Sequence, residues 1–300
     1  MYLQQNIPQR SFALLCTAGI ALLLLTGCSR VDIIYRTSDM LIEYYADDYL
    51  ELDSAQLASW RPTLSAALAQ HRQDELPYLA RFFDTAYEGA RKGFNRDRVA
   101  CMIDQFEDLY RRHVRIAVGL ATPLLTDLTP AQINKLEAKF NEEAADEAKQ
   151  DAAAEARRDR KRAKRYTEAM DWWLGSLSDA QHRITEEVTA AMPDTAASWE
   201  TYRNVKRAQL IAMLKRDAND RQLLQYLDNW LVEHRDISAE LRLARLTIRE
   251  QIIRLFMRME TSFSEQQRAH FAQRLASIRD DFMSLQRHPR MAPMRCASAS

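Results

Sequence analysis

The chain has 300 residues, of which 42 are basic and 42 are acidic. Because the formal charge is balanced, bulk charge excludes no fold and gives no reason to expect a nucleic-acid partner or general attraction to an anionic surface. Only six glycines and eight prolines are present, too few for the many turns of a sheet protein, so the composition favours an all-α protein.

Residues 1–27 have the pattern of a secretion signal. The apolar run Phe12–Leu25 would cover only about 21 Å as a helix, which is short of the roughly 30 Å hydrocarbon layer. Leu25-Thr26-Gly27-Cys28 resembles the bacterial lipobox, and the resemblance implies cleavage before Cys28 and attachment of palmitate-type acyl chains to it. Ser29 then implies sorting to the outer membrane, facing the periplasm. The alternative is an ordinary signal peptide that happens to contain a cysteine.

Apolar side chains recur at helical spacing through the rest of the chain. The clearest stripe has steps of four and three and consists of Phe271, Leu275, Ile278, Phe282 and Leu285. Such spacing places the apolar groups on one helical face. The predicted helices cover residues 33–50, 53–71, 75–91, 95–121, 129–174, 178–191, 194–217, 219–235, 237–260 and 264–286. The predicted fold is an all-α, multi-helix bundle.

The predicted helices group into successive parts of the chain. A lipidated N-terminus and short tether (28–36) precedes an N-terminal helical part (37–127). A long charged helix (128–175) protrudes from the bundle or connects two halves, and a C-terminal bundle (176–287) follows. Residues 288–300 contain two prolines and are predicted to be a disordered tail. One disulfide between Cys101 and Cys296 is possible in an oxidising compartment, and the sequence leaves it open.

Four predicted helix starts share a local motif, in which an apolar residue precedes Asp, Ser or Thr and Gln follows three positions later. The four Asp, Ser or Thr to Gln pairs are Asp53 and Gln56, Thr129 and Gln132, Ser178 and Gln181, and Ser264 and Gln267. This pattern predicts capping boxes, in which the first side chain accepts from the N3 amide and the glutamine reaches back to the cap.

Two family resemblances rest on such motifs. Leu128-Thr129-Pro130-Ala131-Gln132 resembles the LTxxQ motif of Spy-type periplasmic chaperones, which hold unfolded clients without ATP; simple repetition of helix starts is the alternative. The whole chain resembles an uncharacterised family of Gram-negative envelope lipoproteins. That resemblance rests on the lipobox, the Leu52–Gln56 helix start, Trp60-Arg61-Pro62 and Glu75-Leu76-Pro77, and it implies no activity or site residues.

The segment from Asn141 to Arg165 contains no large apolar side chain. Acidic residues come first, and seven basic residues follow: Arg157, Arg158, Arg160, Lys161, Arg162, Lys164 and Arg165. This order complements the helix dipole, so a helix with no face to bury is expected. It is either a solvated connector or a basic surface that binds an envelope protein, an anionic polymer or lipid phosphates, with weak self-association as a further possibility.

Motifs that carry enzyme chemistry are missing from the sequence. No HExxH, CxxC, GxSxG or phosphate-binding glycine loop occurs, so we expect a non-enzymatic protein without metal or cofactor. Glu43, Asp47 and Glu51 share one helical face with Asp48 beside them, and this arrangement is interpreted as a solvated acidic face, not a calcium loop. The expected function is a binding or scaffold role in the envelope, anchored to the membrane by lipid, and the alternative is a Spy-like holder of unfolded proteins.

Overall fold

The computed structural model describes residues 30–148 and 153–296. All regular structure in these ranges is helical, which confirms the predicted all-α class. Within the same ranges, no helix is long and apolar enough to span a bilayer. The contacts divide the chain into one unit that ends at Ser38 and a second, compact unit from Asp39 onward. The predicted signal peptide and Cys28 lie outside the described residues.

The helices begin and end close to the predicted positions. They are α1 (Arg30–Arg36), α2 (Ser38–Leu50), α3 (Ser54–Asp74), α4 (Leu76–Lys92), α5 (Arg96–Thr126), α6 (Pro130–Ala148), α7 (Ala153–Leu174), α8 (Asp179–Ala190), α9 (Ala196–Leu214), α10 (Asp220–Leu227), α11 (Ala239–Glu260) and α12 (Glu265–Ser284). A π-helical turn, Asp228–Val232, follows α10.

Four predicted helices differ from the structure. The helix predicted over 95–121 continues to Thr126, and the helix predicted over 219–235 is an α-helix only to Leu227, followed by the π-helical turn. The helix predicted over 33–50 is interrupted at Thr37, whose hydroxyl donates to the Ile33 carbonyl at 3.0 Å. Such side-chain bonds to nearby backbone compete with helix continuation. The helix predicted over 129–174 is described as α6 and α7, and its predicted continuity falls on residues 149–152, which lie outside the described residues.

All four predicted capping boxes are present. Asn219 and Gln222 form a further box at the start of α10, which the sequence interpretation missed. Asn is as good an N-cap as Asp or Ser, so this box could have been predicted by the same rule. Because each box satisfies backbone amides that would otherwise lack partners, the boxes explain why these helices begin where they do.

The four predicted capping glutamines form two pairs across the fold. Gln56 and Gln132 exchange side-chain amide hydrogen bonds of 3.3 and 2.8 Å, and Gln181 and Gln267 exchange two of 2.9 Å. Each glutamine also donates to the carbonyl two residues before its partner's N-cap, at Asp127, Glu51, Ser262 and Ser176 respectively. The same hydrogen-bonding arrangement therefore occurs twice, and it joins helix starts that are distant in sequence.

Two large clusters of buried apolar side chains form the core of the second unit. The first joins α2, α3, the end of α5, α6, α9 and α10, and the second joins α4, the start of α5, α7, α8, α11 and α12. Both clusters take residues from the predicted N-terminal part (37–127) and from the predicted C-terminal bundle (176–287). The packing of α4 along α12 is the most extensive helix contact between these two stretches.

The C-terminal segment corrects the prediction of a disordered tail for residues 288–296. Cys296 is disulfide-bonded to Cys101 in α5, with 4.9 Å between their Cα atoms. Ala292 is buried, and its amide donates to the Pro77 carbonyl at 3.0 Å. The small and polar composition suggested disorder, but a covalent bond and a buried alanine fix this stretch against the bundle. The last four residues lie outside the described part of the chain.

Candidate functional site

An open groove of about 670 Å³ lies between α7 and the loop that joins α8 to α9. The α7 wall is strongly basic. Its lining consists of Arg158, Lys161, Arg162, Lys164, Arg165, Tyr166 and Glu168 from α7, residues 192–196 from the loop and the first residue of α9, and Ile248 from α11. Five of the seven predicted basic residues therefore line one concave surface.

The charged segment is more closely packed than the sequence suggested. α7 contacts α8 and α12, and the Arg162 side chain is only 13% exposed. In α6, Glu143 forms an ion pair with Arg207 and accepts a hydrogen bond from the Tyr49 hydroxyl at 3.0 Å. Arginine can bury its aliphatic stem while its guanidinium finds polar partners, so the lack of large apolar residues did not prevent packing.

Arg162 anchors α7 to the end of α8. Its Nη1 donates to the Met192 carbonyl at 2.5 Å and the Thr189 carbonyl at 3.3 Å, and its Nη2 is paired with Asp159 at 3.0 Å. Carbonyls at the C-terminal end of a helix lack intrahelical partners and attract positive charge. Arg162 therefore ties α7 to the last turn of α8 and to the loop after it, and it holds the two walls of the groove together.

Arg158 makes a second connection across the groove. Its guanidinium lies 2.7 Å from the Asp194 carboxylate, which also accepts from the Ala196 amide at 3.0 Å. Burial alone raises the pKa of Asp194, but the Ala196 amide and the Arg158 guanidinium outweigh it, so the pKa is lowered. Asp194 stays ionised near neutral pH and neutralises Arg158.

The other three groove cations remain exposed. Lys161, Lys164 and Arg165 are all at the surface, and Lys164 is 75% exposed, at 3.7 Å from Glu168. Burial raises the pKa of the Tyr166 phenol, opposed by the charges of Arg162 and Arg165, so its hydroxyl stays protonated. The groove therefore offers ammonium, guanidinium and phenol donors to an anion.

The remaining predicted site residues lie elsewhere. Arg157 and Arg160 are exposed, but neither lines the groove. Cys28, the predicted lipidation site, lies outside the described residues. The sequence analysis did not predict the opposite wall of the groove, Met192 to Thr195. No local pattern in the sequence pairs Asp194 with an arginine 36 positions earlier.

The predicted acidic face is tied to basic residues of other helices. Glu43 forms an ion pair with Arg61, Asp48 with Lys139 at 2.6 Å, and Glu51 with Lys135. The hydrogen bond from Arg61 lowers the pKa of the Glu43 carboxyl. Across residues 30–148 and 153–296, no three His, Cys, Asp or Glu side chains are placed to hold a metal ion.

Comparison with known proteins identifies the family. No curated protein and no solved structure matches the chain. A family model described as a family of unknown function, DUF6279, matches residues 48–234. This match covers more than half of the chain, includes most of the groove, and agrees with the expectation of an uncharacterised family. The chain therefore belongs to DUF6279, a family of unknown function.

Proposed function

We propose that the chain is a lipid-anchored envelope protein that faces the periplasm and binds an anionic partner in the basic groove. Support for the anchor comes from the sequence, in which Leu25-Thr26-Gly27-Cys28 has the lipobox pattern. Several acyl chains hold a protein firmly, at about 0.8 kcal/mol per buried CH₂. The proposed location is the outer membrane, and the proposed role is binding or scaffolding without catalysis.

The binding role is supported by a difference among the groove cations: two are bound by acceptors of the protein, and three are exposed. Arg158 and Arg162 are held by acceptors of the protein and fix the wall of the groove. Lys161, Lys164 and Arg165 project from the same helix and remain exposed. A fixed helix that presents exposed cations in a concavity, with only Lys164 paired within the described part of the chain, to Glu168, favours a multivalent anion such as a phosphate-bearing polymer.

The test of the groove is a charge-neutral variant, Lys161→Gln with Lys164→Gln and Arg165→Gln. Glutamine keeps helix propensity, and Arg158 and Arg162 stay unchanged because they brace the fold. Exposed charge contacts contribute about 0 to 1 kcal/mol each, so the loss of three should lower the affinity by up to about a hundredfold. The probe is fluorescent inorganic polyphosphate, and anisotropy with the full-length chain in detergent reports its binding.

The matched control removes three exposed arginines outside the groove and away from α7, Arg183→Gln with Arg216→Gln and Arg254→Gln. This variant has the same net charge as the groove variant. It should bind polyphosphate like the wild type at about 150 mM salt, where screening limits charge effects to about 8 Å. Equal losses in both variants would mean that the groove is not a site and that only total charge matters.

The anchor is tested separately by Cys28→Ala. Without the thiol, acyl labelling should disappear and the unprocessed precursor should accumulate in the inner membrane. A variant that is still labelled and processed normally would contradict the anchor.

A second proposal is that the chain holds unfolded proteins, as the LTxxQ-like motif suggested. It is supported by Leu243 and Leu246 on α11, which are 66% and 62% exposed and lie one turn apart. Exposed apolar residues on one face are typical of surfaces that bind apolar segments. The wild type should then slow the aggregation of reduced insulin chains, and Leu243→Ser with Leu246→Ser should abolish the effect.

A further inference from the structure

We propose that one face of α2, formed by Met40, Leu41, Tyr44 and Tyr45, lies in the headgroup layer of the leaflet that carries the acyl anchor. We call these four residues the α2 apolar face. The inference rests on the proposed lipid anchor and extends it: the membrane would contact the folded body as well as Cys28.

Helix α2 is apolar on two sides. Leu50 is buried in the first core, and Ile42 and Ala46 pack against it, four residues apart. That inward stripe accounts for the packing of α2 on the bundle. A soluble surface helix would be polar on its other side, but the α2 apolar face is 46% to 67% exposed there.

Exposed apolar side chains are concentrated in α2. Across residues 30–148 and 153–296, fourteen large hydrophobic side chains are exposed, and five of them lie in the thirteen residues of α2. Isolated exposed hydrophobics are normal, whereas a concentration of them marks an interaction surface. The concentration lies at the end of the described chain nearest to Cys28.

The position and chemistry of the face favour lipid as the occupant. Met40 comes only twelve residues after Cys28, so even a taut chain keeps it within about 40 Å of the acyl chains. Tyrosine combines an apolar ring with a polar hydroxyl and is enriched at the headgroup level of membranes. The rings of Tyr44 and Tyr45 lie edge to face, 5.6 Å apart, and form one aromatic surface.

The α2 apolar face differs from the basic groove in its charge. α2 contains no basic residue, and Asp39 and Asp47 lie at either end of the face. Attraction to anionic lipid therefore cannot hold the face on the membrane, and apolar burial must do so. The contact should resist salt and should not require anionic headgroups, in contrast to binding in the basic groove.

The experiment places the photocrosslinker benzoylphenylalanine at position 44 or, as the control, at position 243 of the full-length chain in a Gram-negative host. Tyr44 and Leu243 are matched in exposure, at 64% and 66%. After irradiation, mass spectrometry should find phospholipid adducts several-fold more abundant at position 44. Washing membranes in high salt before irradiation, or adding the Lys161, Lys164 and Arg165 to Gln substitutions, should leave the yield unchanged.

Three results would overturn the inference. Crosslinks at position 44 to a second copy of the chain or to another protein would identify a different occupant. Equal lipid adducts at positions 44 and 243 would mean that nearness to the membrane, not the α2 apolar face, produces them. Acyl labelling of Cys28 without lipid adducts at position 44 would reject the face and leave the anchor intact, whereas loss of both would reject the anchor as well.

Discussion

The paired glutamines allow a quantitative test of how the bundle is held together. Gln56 lies 7% exposed, and its side chain accepts from the Asp53 amide and donates to the Asp127 carbonyl and to Gln132. Gln56→Ala removes these bonds and leaves buried groups without partners. A lost cap costs about 1 kcal/mol and each orphaned buried group about 1 to 3 kcal/mol. We expect the free energy of unfolding to fall by about 2 to 4 kcal/mol.

A double-mutant cycle separates pairing from capping. Once Gln56 is absent, Gln132 has already lost one partner, so Gln132→Ala should cost less than it does in the wild type. The coupling should be about 1 kcal/mol or more, within the range for contacting residues. Urea denaturation followed by circular dichroism provides the four free energies of unfolding.

Gln222 supplies the matched control. It completes the capping box of Asn219 in the same way, but it is exposed and makes no glutamine pair. Gln222→Ala should cost at most about 1 kcal/mol, and its effect should add to that of Gln56→Ala. Additive effects for Gln56 and Gln132, or an equally large cost at Gln222, would refute the reasoning.

Three further predictions concern other parts of the fold. Cys101→Ala with Cys296→Ala opens a loop of 195 residues and should lower the free energy of unfolding by about 2 to 5 kcal/mol; unchanged urea denaturation would contradict a stabilising bond. Burial and a neighbouring histidine lower the pKa of His71 from 6.5 to about 4, so the unfolded chain takes up its proton first, and stability should decline as pH falls from about 6.5 to about 4. His71→Phe should weaken that decline in thermal unfolding curves, and an identical pH profile would exclude His71 as its cause. Gly89→Ala would place its Cβ 2.3 Å from the Phe94 ring, so we expect a loss of about 1 to 3 kcal/mol from overpacking; a thermal midpoint equal to the wild type would contradict it.

The helix pattern was predictable because it depends on local rules. Capping residues and apolar spacing act within one or two turns, so the starts at Asp53 and Ser264 could be located from the sequence alone. The pairing of Gln56 with Gln132 could not, because two residues 76 positions apart meet only when the whole fold brings them together.

Only the basic wall of the groove could be predicted, because it depends on a local pattern in the sequence. A run of basic residues is visible in the sequence and pointed to Lys161, Lys164 and Arg165. The sequence did not distinguish these from Arg158 and Arg162, because their roles depend on Asp194 and the Met192 carbonyl on a distant loop. The prediction of a disordered C-terminal tail was wrong for a related reason. The disulfide bond to Cys101 fixes a segment whose composition would otherwise favour disorder.

The arrangement of the two cores affects the order in which a chain that emerges N-terminus first can assemble. The first core is complete once Val232 has appeared, whereas the second needs Phe271 and Leu275 of α12, the last helix. Until then α4 lacks its most extensive contact, because that contact is with α12. Such transiently uncovered surface is where misassembly begins. A chain that emerges N-terminus first therefore completes the packing of α4 only after nearly two hundred further residues have appeared, and the Cys101–Cys296 bond closes late for the same reason.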